Sequence, residues 1–180
     1  MSTLKKIFYA IAATTVASLS YVASSQESVG LGTPITEDQL ADFDLIAEID
    51  GTGFPAGSGT AREGKAVYDA NCAACHAYNG EGISGNTVIA GGDMKSDGTP
   101  LRTVGSYWPY ASTVFDFVRR AMPANAPKTL SDEQVYQVVA YVLYLNGIVT
   151  EDQELNAQTL PLIEMPNADG FIDRSNVHSL

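Results

Sequence analysis

The spacing of apolar positions divides the chain into an apolar leader, two poorly periodic arms and a helical centre. Ile7 to Val22 is almost uncharged and apolar, with Lys5 and Lys6 before it and Ala23, Ser24 and Ser25 after it. That is the layout of a secretory signal peptide, so residues 1–25 are expected to be removed on export. An uncleaved anchor is the alternative. The run is short for a bilayer span, however, and Thr14, Thr15, Ser18 and Ser20 interrupt it. No later stretch is long and apolar enough to cross a membrane, and the mature chain is expected in the periplasm, touching a membrane only if the leader stays.

Residues 26–57 read as an N-terminal arm. Within it Thr36, Glu37, Asp38 and Gln39 can form a capping box over a short turn, and the turn formers of Asp50–Gly59 predict an ordered loop. Thr60, Ala61, Arg62 and Glu63 make a second box, and after it Gly64, Tyr68 and Cys72 recur every fourth residue on one helical face. From 77 to 107 little is periodic, and Gly80, Gly82, Gly85, Gly91, Gly92 and Gly98 mark an irregular loop that needs a surface to pack on. A short helix is predicted over about 112–121, with Val114, Phe117, Val118 and Ala121 on one face and Pro123 and Pro127 stopping it. Ser131 to Gln134 caps a last helix over about 132–146, closed by Asn146 and Gly147. It is apolar on most sides and should be buried between neighbours. Residues 148–180 form a second arm. With no strand pattern visible, the fold class is all-α.

Charge narrows the partners. The chain carries a formal charge of −11, and loss of Lys5 and Lys6 leaves 8 basic against 21 acidic residues, near −13. Such a chain repels nucleic acid and anionic membranes. The carboxylates either solvate the surface or form a face that steers a basic redox partner.

Chemistry concentrates in Cys72-Ala73-Ala74-Cys75-His76, which holds both cysteines. A thioredoxin-like site would need a βαβ pattern around it, and zinc would need two further Cys or His ligands, whereas the other histidine is the remote His178. Cys-x-x-Cys-His is the spacing that attaches one haem c: both thiols bond the vinyl groups from one helical turn, and His76 reaches the iron. For the sixth position the candidates are Met94, Met122, Met165 and His178. Met122 follows a helix, is fixed by Pro123 and precedes the last helix, so it fits best. A thioether ligand favours the ferrous state and suits an electron carrier. Trp108 could donate to a haem propionate or anchor a loop, and Arg102, Arg119 and Arg120 could neutralise propionates, though adjacent arginines point different ways on a helix.

Gly64, Tyr68, Cys72, Cys75, His76, Met122, Pro123 and Tyr141 together resemble class I cytochrome c over about 58–147. The resemblance implies a monohaem domain whose first and last helices cross near a glycine and stack aromatic rings, with arms at 26–57 and 148–180. The segments Gly51–Thr60, Thr103–Ala111, Arg119–Pro123, Leu130–Tyr136, Tyr144–Gly147 and Met165–Phe171 look like the cytochrome subunit of sulfane and sulfite dehydrogenases. That likeness implies a molybdenum-cofactor subunit as electron donor and a periplasmic cytochrome or oxidase as acceptor, with no catalysis by this chain. Some members carry a second haem domain, which this sequence does not repeat. A free shuttle to a terminal oxidase, and a haem enzyme with an open iron site, are the alternatives.

Overall fold

A computed structural model of the chain describes residues 32–41, 43–83, 87–93 and 100–171. The leader, Met94 and His178 lie outside the described residues. The chain divides into two compact units, at Leu40 and Ala41. The described part of the first ends in α1 (Glu37–Ala41), where Thr36 Oγ1 accepts from the Gln39 N–H at 3.3 Å and Gln39 Oε1 accepts from the Thr36 N–H at 3.0 Å. That is the reciprocal cap its sequence encodes.

The second unit holds β1 (Ser58–Gly59), α2 (Ala61–Asn71), α3 (Ala73–His76), α4 (Val104–Tyr107), α5 (Ala111–Ala121), α6 (Asp132–Leu145), β2 (Leu155–Asn156) and a 3-10 turn, Leu160–Leu162. Thr60 with Glu63, Thr103 with Ser106, and Ser131 with Gln134 close capping boxes at α2, α4 and α6. Each supplies partners for amide groups that a helix start leaves open.

At the centre α2 crosses α6. A β-carbon at Gly64 would run into the Gln137 carbonyl, so the bare glycine lets the two backbones touch there. One turn on, the rings of Tyr68 and Tyr141 meet at a tilt of 59° with centroids 5.0 Å apart. Val135, Tyr136, Val138, Val139, Ala140, Tyr141, Val142 and Leu143 of α6 are all buried, which accounts for a helix apolar nearly all round. Helix α5 covers another side through Ala111, Val114, Phe115 and Val118. Helical spacing groups Phe117 with Val114, Val118 and Ala121 on one apolar face. Phe117 is instead 44% exposed and meets Trp108 edge-on at 5.6 Å, because it lies about 200° around the helix from Phe115.

Both flanking segments join this core. Phe54 packs on Phe115 and Tyr136, and the Tyr136 hydroxyl donates to Pro55 O at 2.9 Å. On the other side β2 pairs antiparallel with β1, Ser58 opposite Asn156 and Gly59 opposite Leu155. These two-residue strands are too short to show a period in the sequence. Glu151 O accepts from the Arg62 N–H at 3.1 Å, and Leu155, Leu160 and Met165 are buried in the core. Further on, Tyr110 and Glu164 form a bridge and the Asn167 amide donates to Tyr107 O at 2.6 Å. No helix among the described residues is long and apolar enough to cross a membrane.

Candidate functional site

Helix α2 ends at Cys72, whose N–H bonds Tyr68 O at 2.8 Å while its own torsions leave the helical region. The chain then winds one tight turn. The amides of Cys75 and His76 both donate to Cys72 O, at 3.1 and 2.9 Å, so both thiols and the imidazole rise from a single turn. The thiols form no disulfide: Cys72 is half-buried and Cys75 exposed. Burial, followed by the neighbouring Cys75, pushes the Cys72 thiol up to about 11, so it stays protonated at neutral pH.

The exit from this turn is strained and held. Ala77 has φ 56°, uncommon for a residue with a β-carbon. The Tyr68 hydroxyl donates to Ala77 O at 2.9 Å, and Gly82 N–H donates to His76 O at 2.9 Å. Burial raises the Tyr68 phenol well above its ordinary range, which keeps that hydroxyl a donor. His76 Nδ1 lies 2.5 Å from Thr87 O. A carbonyl oxygen only accepts, so Nδ1 carries the proton in this contact and Nε2 is the ring nitrogen left to face a metal.

The donor set fits a haem better than a lone metal ion. Among the described residues no three His, Cys, Asp or Glu side chains converge as a metal cluster. Two thiols and an imidazole with one nitrogen anchored on a carbonyl are what haem c attachment needs. Cys72, Ile89, Trp108 and Met122 are each half-buried against the core.

The glycine-rich loop is fastened at several points. Gly80 O accepts from the amides of Ile89 and Ala90, and the Thr103 hydroxyl donates to Gly91 O. Asn146, the C-cap of α6, contributes most: its Oδ1 accepts from Gly91 N–H at 3.1 Å, and its Nδ2 donates to Ile89 O at 3.1 Å and Val142 O at 2.8 Å. In the sequence Asn146 is legible as a helix stop and not as the anchor of this loop. A cap residue with both a donor and an acceptor was the available signal that it also ties down a loop.

The other sequence candidates fall in different places. Met122 is the C-cap of α5, half-buried and in extended conformation, its N–H bonded to Val118 O at 3.1 Å. Met165 is buried in the core at 4% exposure. Arg102 is exposed, its guanidinium 5.0 Å from the centroid of the Tyr107 ring, and Trp108 is taken up by Phe117. Arg119 pairs with Asp132 at 2.9 Å and donates to Leu45 O at 3.1 Å, while Arg120 pairs with Asp116. Those two arginines brace helices and the N-terminal segment.

Comparison with known proteins places these features in context. Residues 59–142 match the family described as cytochrome c oxidase, cbb3-type, subunit III. A chain of the crystal structure of the sulfane dehydrogenase SoxCD from Paracoccus pantotrophus is 38% identical, with a TM-score of 0.77 over 84% of this chain and 75% of that one. Thiosulfate dehydrogenase from Allochromatium vinosum is 27% identical over 128 residues, 69% of this chain and 42% of that protein. The chain thus spans about two fifths of that relative's length.

Proposed function

The chain belongs to the class I c-type cytochromes of sulfur oxidation, and from that premise we propose that it is the haem subunit of a periplasmic molybdenum-cofactor dehydrogenase, accepting singly the electrons that the catalytic subunit takes from a sulfur compound as it oxidises it. Electron transport through a haem c is the function of the family. The observation that carries the finer reading is the reach of the likeness: the cytochrome family matches 59–142, whereas the likeness to the sulfane dehydrogenase chain covers 84% of the residues, flanking segments included. A free shuttle needs little beyond the haem domain.

On this reading Cys72 and Cys75 would hold one haem covalently through thioether bonds to its vinyl groups. The Nε2 of His76 and the sulfur of Met122 would bind its iron. Once bound, the group supplies a one-electron iron couple. The chain's own part is to position it. Thr87 O fixes the imidazole, Tyr68 and Asn146 hold the loop, and Arg102 and Trp108 would serve as propionate contacts only by giving up their places at Tyr107 and Phe117.

Purification of the full chain from its native periplasm tests the proposal. The expected result is a stoichiometric molybdenum protein whose sulfur substrate reduces the haem. A lone cytochrome, or one no sulfur compound reduces, would point to the free shuttle. A high-spin ferric spectrum would point to a haem enzyme with an open iron site.

A further inference from the structure

The acidity of the chain is not spread evenly. Residues 58–147 carry 8 acidic and 7 basic side chains and are nearly neutral. Residues 26–57 carry 7 acidic and no basic ones, and residues 148–180 carry 6 acidic and 1 basic. Almost the whole negative charge therefore sits outside the haem domain.

The structure adds an apolar centre to that charge. Residues 45–47 run beside α5, with Arg119 donating to Leu45 O and Asp116 accepting from the Ala47 N–H at 3.1 Å. Ala47 is buried, whereas Ile46 and Glu48 are exposed. Phe43, Ile46 and Ile49 are 73%, 47% and 54% exposed. Residues 48–52 close a turn, with the Glu48 N–H on Thr52 O at 2.9 Å and the Gly51 N–H on Glu48 O at 3.2 Å. Gly51 faces the Pro161 ring, which brings Leu162, 78% exposed, to the same end of the molecule. Exposed Asp44, Glu48 and Asp50 stand among these side chains. Large apolar side chains gathered within a charged rim mark a protein interface more often than a free surface.

We propose that this face, apolar at Phe43, Ile46, Ile49 and Leu162 and acidic around them, is the permanent docking surface for the electron-donating catalytic subunit, which presents a complementary apolar patch rimmed by lysine or arginine. The assignment of the donor rests on the function proposed above. Charge complementarity selects the occupant. A second copy of this chain would set acidic rim against acidic rim, which costs association energy, while a basic partner gains both steering and register. The apolar centre favours a lasting complex over a brief encounter.

The test compares affinity-tagged full-length chains expressed in the native host: wild type, Ile46→Ser/Ile49→Ser/Leu162→Ser, and Asp44→Lys/Glu48→Lys. The readouts are molybdenum per haem after purification and the haem absorption spectrum. All these side chains are exposed, so the spectrum should stay that of wild type. Wild type is expected to carry molybdenum, and both variants to lose it by roughly tenfold or more. Retention of molybdenum by both variants overturns the docking surface and leaves the proposed function standing. Absence of molybdenum from wild type overturns the proposed function, and this surface assignment with it. A wild-type dimer without the metal, dissolved by the serine variant, assigns the face to a second copy and overturns the proposal.

Discussion

His76 Nδ1 and the carbonyl oxygen of Thr87 lie 2.5 Å apart, and that contact decides which nitrogen of the ring remains free. The carbonyl is held in place by the side chain of its own residue: Thr87 Oγ1 accepts from the Ile83 N–H at 3.2 Å. Thr87→Val removes this loop bond at a cost of about 1 kcal/mol. A slacker carbonyl withdraws less proton density from Nδ1, so the imidazole becomes a weaker donor to ferric iron. The expected outcome is a higher reduction potential by redox titration. An unchanged potential would show that the carbonyl is fixed by other contacts.

Gly64→Ala sets two opposing effects against each other. In a helix interior alanine gains about 1 kcal/mol over glycine. Here the new methyl group meets the Gln137 carbonyl, a backbone atom that cannot swing aside, and presses on Tyr141 Cβ at 3.1 Å. Forcing the helices apart costs about 1–3 kcal/mol, and the alanine contributes an opposing gain smaller than that. Denaturant unfolding should therefore show net destabilisation, against the helical propensity.

The elements legible in the sequence are those with a local cause. Capping residues set the starts of α2 and α6, a four-residue recurrence gave the Gly64–Tyr68–Cys72 face, and Cys-x-x-Cys-His needs no neighbour to be read. Hidden features depend on partners distant in the chain. Strand β2 exists only because Leu155 and Asn156 meet Gly59 and Ser58, and α4 is four residues long, too short for any period. Phe117 was misplaced for a related reason: Val114, Phe117, Val118 and Ala121 also satisfy helical spacing, and only the position of α6 decides which stripe faces inward. Within the site, His76 could be identified but its Thr87 contact could not, since a backbone carbonyl leaves no mark in the sequence.

Asn146 separates shape from charge. Asn146→Ala deletes three hydrogen bonds at once and exposes the Gly91 amide and Ile89 carbonyl to whatever water can reach them. A loss of about 2–3 kcal/mol is expected. Asn146→Asp keeps the acceptor for Gly91 but sets a carboxylate oxygen against the carbonyls of Ile89 and Val142. It should be at least as damaging at neutral pH despite its nearly identical size. Thermal unfolding of the two variants checks the order.

The two described methionines outside the leader should respond differently. Met122→Ala removes the proposed axial sulfur, so the ferric methionine–iron charge-transfer band should vanish and carbon monoxide should bind the ferrous protein. Met165→Ala should leave the spectrum intact and cost about 2–4 kcal/mol of stability, because its side chain is 4% exposed in the core. Loss of the band in the Met165 variant alone would reverse the assignment.

Asp116 ties the N-terminal segment to the haem domain in a way that acid should undo. Burial on its own would raise this carboxyl, but the Arg120 guanidinium, the Ala47 N–H and Arg119 outweigh it and hold the group below the ordinary carboxylate range. A carboxyl depressed in the folded state contributes stability above its unfolded value, near pH 4, and loses it as the pH falls through the lower folded value. The attachment of residues 45–47 should therefore be firm at neutral pH and loosen only below about pH 4. Asp116→Asn can still accept from Ala47, yet it has no charge for the arginines and nothing left to titrate. Hydrogen exchange at the Ala47 amide reads this directly. Wild type should show protection that collapses in acid, and the asparagine variant weaker protection that stays flat across the same range. Equal acid sensitivity in the two proteins would move the titrating group elsewhere.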